Sequence, residues 1–330
     1  MSYPLNPDLH SDDVQREPIR AGFGRGLLEA GKRDESVVAL CADLTESTQM
    51  SLFQEEFPER FIEVGIAEQN LVTVAAGMAH AGKIPFTSSY AAFSPGRNWE
   101  QIKTTAALND LPVKVIGSHA GLNVGPDGAT HQMLEDIAIM RVMPNMVVIA
   151  PGDSIEAEKA TLAIAQNGAP AYLRLARDRT PIFSTTDAPF EIGRAYLLRE
   201  GADVTLAGTG TMTYELLIAA EILAAQDVDA EVLHVPTVKP LDEETILASV
   251  RRTGRIVTAE EAQRAGGFGS AVAELLGEKL PRPVRRLGVD DRYGETGTPI
   301  ELLDAFGLTG RHLAATIAEF IAGLDAGSDR

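Results

Sequence analysis

The stretch "FIEVGIAEQNLVTVAAGMAHAGKIPFTSSY", residues 61–90, changes its apolar periodicity twice. A short apolar run ending at Glu63 has the character of a strand, residues 66–81 repeat their apolar positions at helical spacing, and 83–87 again reads as a strand. The same alternation extends both ways. Expected strands at 37–41, 60–63, 83–87, 113–117, 146–150 and 171–175 enclose expected helices at 18–30, 66–81, 99–108, 131–140 and 154–167. Such an order builds an α/β domain with a largely parallel sheet covered on both faces, and it puts functional loops at the carboxyl ends of the strands.

Residues 177–191, "RDRTPIFSTTDAPFE", break the pattern with prolines and polar groups and read as an interdomain linker. Alternation then resumes with strands at 204–207, 230–236, 255–259 and 284–288 and helices at 212–226, 243–252 and 267–277. Two parallel-sheet α/β domains are expected, 1–187 and 188–330.

Within the opening stretch, Glu68 shares a helical face with Leu71 or Val72, Ala75 and Ala79, which places a carboxyl group at the head of an apolar stripe. There it can protonate or hydrogen-bond a ring nitrogen in a dry cavity; the plainer alternative is a first-turn glutamate facing water. Tyr90 and Phe93 follow in "FTSSYAAF", and a helical turn after the strand would bring their rings together. Beside a buried acid they suit a flat heteroaromatic cofactor, although two aromatics can equally close the top of a core.

His119 follows the strand-like "VKVIGS", and His131 follows the glycine-rich "GPDGAT", with Thr130 as a helix N-cap. Imidazoles at these places can exchange protons with a carbonyl or hydroxyl, and Asp127 can accept from a hydroxyl. His119, Asp127 and His131 also form a loose set of transition-metal ligand types, but their spacing matches no compact metal signature. HExxH, CxxC and P-loop lysine motifs are lacking, and the glycines near Gly208 and Gly210 fall short of a dinucleotide fingerprint. Arg177, near the end of the first domain, can grip a phosphate through its guanidinium fork, with Ser47 in "CADLTES" offering a hydroxyl; a linker ion pair with Asp178 or Glu191 is the alternative.

The charge of -18 disfavours nucleic acid and anionic membrane as partners, because both would be repelled. Cys41, the only cysteine, reads as a buried strand residue, so no disulfide is expected within the chain. No apolar run reaches the ~18 residues of a membrane span, and the N-terminus lacks the pattern of a signal peptide. A cytoplasmic location is expected.

Taken together, "ADLTES", "FIEVGIAEQNLVTVAAGMAHAG", "FTSSYAAF", "GSHAGLNVGPDGATHQMLEDIAIMRVMPNMVV", "YLRLAR", "VTLAGTG", "AEEAQRAGGFGSAV" and "YGETGTPIELL" resemble the pyrimidine-binding and C-terminal regions of the transketolase family. The resemblance runs almost the whole length. It implies thiamine diphosphate as cofactor and transfer of a two-carbon ketol unit from a ketose phosphate to an aldose phosphate, in carbohydrate metabolism of the pentose-phosphate kind. By that resemblance Glu68 engages the aminopyrimidine nitrogen and favours the imino form, Tyr90 and Phe93 sandwich or flank the ring, and Asp43 and Leu44 lie beside it. His119 and His131 contact substrate oxygens and assist proton transfers. Asp127 recognises a hydroxyl, and Ser47 with Arg177 holds a sugar phosphate.

A full-length family member precedes these regions with a diphosphate-binding domain carrying a GDG motif and an asparagine. That element has no counterpart here, and "PDG" at 126–128 belongs to the substrate-side loop. The resemblance therefore implies one subunit of a split enzyme. A separate N-terminal-half chain would hold Mg2+ or Ca2+ and the diphosphate, in an α2β2 heterotetramer, and no metal ligand is assigned to this chain. "DGATHQ" also resembles 1-deoxyxylulose-5-phosphate synthase, and the length suits a 2-oxoacid dehydrogenase β-subunit. A non-catalytic assembly subunit is the alternative outside enzymology. In the second domain "DDRYGETGTP" reads chiefly as a turn; His80 of the first domain and His234 and His312 of the second have no evident partners.

Overall fold

Aliphatic runs too short for helices and too apolar for an exposed sheet become the central strands of a seven-stranded sheet. The computed structural model describes residues 3–11 and 13–328. Across the sheet the order is Thr237–Lys239, Val147–Ile149, Ala171–Arg174, Lys114–Ser118, Ile84–Tyr90, Val37–Cys41 and Phe61–Glu63. The strands from the first half of the chain pair in parallel. Val37–Cys41 is buried along its full length, Cys41 included, because helices cover both faces. One cover is a pair of helices, Ile19–Arg33 and Ser154–Gln166, that approach closely through glycine: a Cβ on Gly22 would lie 1.8 Å from the Ser154 carbonyl oxygen. The second helix is capped by Asp153, whose side chain accepts from the Glu156 amide.

The second sheet has the order Val284–Val289, Ile256–Gln263, Val204–Gly208, Ala230–His234 and Tyr196–Arg199; only the last strand runs antiparallel to its neighbour. Both sheets are thus dominated by parallel pairs, as the alternating pattern requires.

Several details depart from the expectations. The strand begun near residue 83 continues to Tyr90, because Ile84–Tyr90 pairs on both edges with buried neighbours. The helix expected at 131–140 shrinks to Asp136–Arg141, and His131 lies in a turn before it, with no helix for Thr130 to cap there. The helix expected at 99–108 is α-helical only over Trp99–Gln101 and continues as a π-helix over Ile102–Ala107. Within 177–191, Arg179–Pro181 forms a strand antiparallel to Arg16–Pro18. Thr237–Lys239, from beyond that segment, crosses back and adds an antiparallel edge to the first sheet. The chain ends in two helices the pattern did not reveal, Pro299–Ala305, which opens with a capping box on Thr298, and Gly310–Ser328. Among the described residues no helix is long and apolar enough to cross a membrane.

Candidate active site

The first sheet changes direction of growth at Val37–Cys41. The next strand, Phe61–Glu63, lies on one side of it, and the following strand, Ile84–Tyr90, lies on the other. A reversal of this kind opens a crevice at the carboxyl ends of the two central strands, which is where α/β proteins hold ligands. The loops that leave those ends carry Asp43, Leu44 and Ser47 on one side and Phe93 and Arg97 on the other. Asp43 takes a left-handed conformation, φ 57°, and its amide donates to Glu63 Oε1 at 2.8 Å; the Gly65 amide donates to the same oxygen at 2.8 Å. Glu63 thereby ties the Asp43 loop to the segment leading into Glu68. Leu44 is half-buried against the core beneath.

Glu68 is the first residue of the helix Glu68–His80 and is 3% exposed, so the solvent-facing alternative is excluded. Its backbone carbonyl accepts from Asn98 Nδ2 at 2.8 Å, and its Oε2 accepts from Arg97 Nη1 at 2.8 Å. Arg97 also lies over the Phe93 ring, 4.8 Å from its centre, which links the acid to the aromatic wall.

Tyr90 and Phe93 have nearly parallel rings, 5.9 Å between centres at 16°. They already stack with an offset, which leaves them as a wall and offers no slot between the two rings. Two imidazoles pack against this wall. His119 stacks on Tyr90 at 3.8 Å and 21°, and His131 stands edge-on to Phe93 at 5.4 Å and 73°. The Tyr90 hydroxyl and Ser47 Oγ share a hydrogen bond of 2.7 Å.

His119 is held at φ 55° with Nδ1 2.9 Å from the Ser118 hydroxyl. Burial pushes its pKa down to about 3, and repulsion from Arg20, Arg177 and His131 adds to the effect. The ring is neutral at ordinary pH and is free to donate or accept through one nitrogen. An imidazole of the unfolded chain titrates near ~6.5, so between roughly 6.5 and 3 the unfolded state binds a proton that the folded state refuses. The stability linked to His119 is therefore complete above about pH 6.5 and declines as pH falls toward 3, with a slope of up to about 1.4 kcal/mol per pH unit. His119→Asn is expected to flatten the acid limb of a urea-midpoint profile; an unchanged limb would remove His119 as its source.

Ser47 and Arg177 reach the same end of the crevice through a residue that carries no signal in the sequence. Arg20, in the first turn of Ile19–Arg33, donates from Nη1 to the Ser47 carbonyl and from Nε to the Arg177 carbonyl at 3.0 Å. Burial and the like charge of Arg177 push the Arg20 guanidinium below its ordinary value. Arg177 Nη1 donates to the Val124 carbonyl at 2.6 Å and to Asp127 Oδ1 at 3.0 Å; its expected alternative partners, Asp178 and Glu191, are not the ones it takes. A strongly acidic chain thus concentrates positive charge at one rim of this crevice. His131 Nδ1 pairs with the Thr130 hydroxyl at 2.8 Å. Among the described residues no group of three or more His, Cys, Asp or Glu is placed to hold a metal ion. His119, Asp127 and His131 face Ser118, Arg177 and Thr130 instead.

Arg174 lies apart from the crevice. It is buried against Asp136, Nε to Oδ2 at 2.9 Å, and the Tyr172 hydroxyl donates to the same oxygen at 2.7 Å. His234, which lacks a partner in sequence, is buried between Glu156 Oε2 at 2.7 Å and the Thr213 hydroxyl at 2.6 Å.

A buried acid, an aromatic wall, two imidazoles and paired arginines, all carried by residues 20–177, converge on this crevice. Residues 17–182 match the family described as transketolase, pyrimidine binding domain, and 193–313 match transketolase, C-terminal domain. A 6-deoxy-6-sulfo-D-fructose transketolase subunit of Clostridium sp. (strain MSTE9) is 45% identical over 293 residues, covering 89% of this chain and 91% of its own. One subunit of the apulose-4-phosphate transketolase of Phocaeicola vulgatus is 35% identical, covering 92% and 97%. A solved structure described as a split gene transketolase, inactive beta4 tetramer, superposes with a TM-score of 0.87 at 43% identity and covers 92% of this chain and 98% of its own.

Proposed function

The chain belongs to the transketolase family, and from that premise we propose that it is the pyrimidine-side subunit of a split, thiamine-diphosphate-dependent transketolase. It moves a two-carbon ketol unit between sugars that carry a terminal anionic group. A separate N-terminal-half subunit holds the diphosphate and its Mg2+ or Ca2+, and the two chain types work as an α2β2 heterotetramer in the cytoplasm. The observation that carries this reading is the convergence of Glu68, Tyr90, His119 and Arg177 on one crevice, an acid and a ring wall at one side and positive charge at the other.

Thiamine diphosphate, when bound, supplies the electron sink for a two-carbon carbanion. The residues present fit its pyrimidine: Glu68 is buried, charge-paired and set beside the Phe93 ring through Arg97. Glu68 would share a proton with a ring nitrogen, Tyr90 and Phe93 would flank the ring, and Asp43 and Leu44 would close the near edge. His119, neutral and buried, exchanges a proton with a substrate oxygen, and His131 does the same from the loop above Phe93. Asp127 accepts from a sugar hydroxyl. Arg20, Arg177 and Ser47 receive the terminal anion. Two relatives are named for substrates with a sulfonate and a phosphate, and a guanidinium pair accommodates either.

Product analysis tests the reaction class. The assembled pair is given ketose phosphates, pyruvate with glyceraldehyde phosphate, or 2-oxoacids, and ketol transfer in the first arm alone is expected. Decarboxylated products in either of the other arms, without ketol transfer, would contradict the reading. Arg177→Ala is expected to raise KM for a phosphorylated ketose about tenfold to a hundredfold, the worth of a charged hydrogen bond, and to change KM for its unphosphorylated counterpart far less. Equal effects on both sugars would remove Arg177 from the anion site.

A further inference from the structure

The segment "GLNVGPDGATHQ", 121–132, carries Asp127 and His131 yet has few apolar side chains to hold it in place. Its backbone lies on the C-terminal domain. Gly121, Gly125 and Gly128 take φ of 80°, 74° and 77°, which an L side chain rarely adopts. A Cβ at these positions would lie 2.5 Å from Glu261 Oε1, 3.1 Å from Pro299 Cδ and 2.8 Å from Thr296 Oγ1, so at every glycine the nearest obstacle belongs to the second domain.

Hydrogen bonds follow the same seam. The Asn123 amide donates to Glu261 Oε1 at 2.6 Å. Gln132, 4% exposed, donates from Nε2 to the Gly125 carbonyl at 3.0 Å, closing the loop on itself, and to the Glu295 carbonyl at 2.9 Å, fastening it to the other domain. Gln132 Oε1 is buried with no partner and sits where a Cβ on Gly294 would be, 1.7 Å away. From the first domain, Arg177 reaches Val124 and Asp127, and the Asp178 amide donates to Asn123 Oδ1 at 2.5 Å. The "DDRYGETGTP" turn is therefore a brace as well as a turn.

We propose that the C-terminal domain sets the geometry of the substrate loop, with Gln132 as a positioning residue that places Asp127 and His131 by anchoring them to the Glu295 carbonyl. The proposal rests on the reading of Asp127 and His131 as sugar contacts. It gives the second domain a share in substrate recognition although no side chain of that domain need touch the sugar. A neutral amide spanning two carbonyls is the right group for this: both its protons are used, whereas a carboxylate would face two acceptors.

The test compares Gln132→Ala with Gly294→Ala, which displaces the same side chain from the opposite domain. Glu274→Gln, which loosens a peripheral interdomain ion pair with Arg141, serves as control. Each full-length chain is assembled with the N-terminal-half subunit, and kcat, KM for the ketose phosphate and thiamine diphosphate affinity are measured; amide hydrogen exchange is followed on the chain itself. Gln132→Ala and Gly294→Ala are expected to raise KM about tenfold, the loss of two hydrogen bonds, with cofactor affinity within about twofold of the parent. Exchange should accelerate over 121–133 and stay unchanged over 61–98, and the control should move neither. Unchanged KM in both variants, or a loss that follows cofactor affinity, would overturn the proposal. Should the parent assembly transfer no ketol unit, the functional reading fails separately. Exchange then decides the brace alone: acceleration confined to 121–133 supports it, and no acceleration refutes it.

Discussion

Glu68→Gln is expected to lower ketol transfer by the assembled enzyme about a thousandfold while leaving the fold and the assembly in place. The substitution is nearly isosteric, and the new amide oxygen can still accept from Arg97, which Glu68 Oε2 meets at 2.8 Å. The carbonyl of residue 68 keeps its hydrogen bond from Asn98, so the start of the helix is preserved. What is lost is a group able to take up and return a proton. A carboxyl group can share a proton with a ring nitrogen as the cofactor is activated, whereas an amide can only donate a fixed hydrogen bond. The direct readout is exchange of the thiazolium proton in the assembled holoenzyme. Slow exchange with normal cofactor occupancy is expected, and exchange at the parent rate would assign the activating acid elsewhere.

Asp136→Ala is expected to destabilise the chain by about 3–5 kcal/mol, measured from the urea midpoint and slope. The reason lies in what remains. Arg174 is 6% exposed and has Asp136 as its carboxylate partner, and its Nη2 donates to the Glu261 carbonyl at 2.7 Å. Deleting the acid leaves a buried guanidinium without its hydrogen-bonded carboxylate, offset only by the Glu261 charge, and the Tyr172 hydroxyl without its acceptor. The pair itself contributes little net stability, since its desolvation offsets much of its attraction; it is the half-broken pair that costs. Asp136→Asn, which keeps an acceptor, should cost less. A loss below about 1 kcal/mol for the alanine variant would show that water reaches Arg174 and relieves it.

The parts of this molecule that rest on periodicity were legible in its sequence. Val37–Cys41, Ala171–Arg174 and Glu68–His80 each bury an apolar run of the length the pattern indicates, and Glu68 stands out because it is the polar member of an apolar face. Parts that rest on contacts across the chain were not. Arg20 meets Arg177 from a distance of 157 positions, and nothing around it distinguishes it from a surface arginine on a helix. Arg97 and Asp136 acquire their meaning only from Glu68 and Arg174. Thr237–Lys239 has three residues, too few for a period, and belongs to the first sheet because its partner, Val147–Ile149, was an open edge.

The glycine loop shows the same limit from another side. Its polar residues announced a site, but its glycines were shaped by the second domain, whose Glu261, Thr296 and Pro299 lie far off in sequence. His131 was expected to open a helix capped by Thr130; the backbone instead turns through Thr130–Gln132 and begins its helix at Asp136. Side chain and backbone hydrogen bonds within the turn outcompeted the helical register.

The central claim is that this chain supplies one half of a shared active site. Its most direct test is thiamine-diphosphate-dependent ketol transfer measured with this chain alone, with the N-terminal-half subunit alone, and with the two mixed. Turnover only in the mixture, with cofactor retained only there, is the predicted result; full turnover by this chain without a second chain type would contradict it.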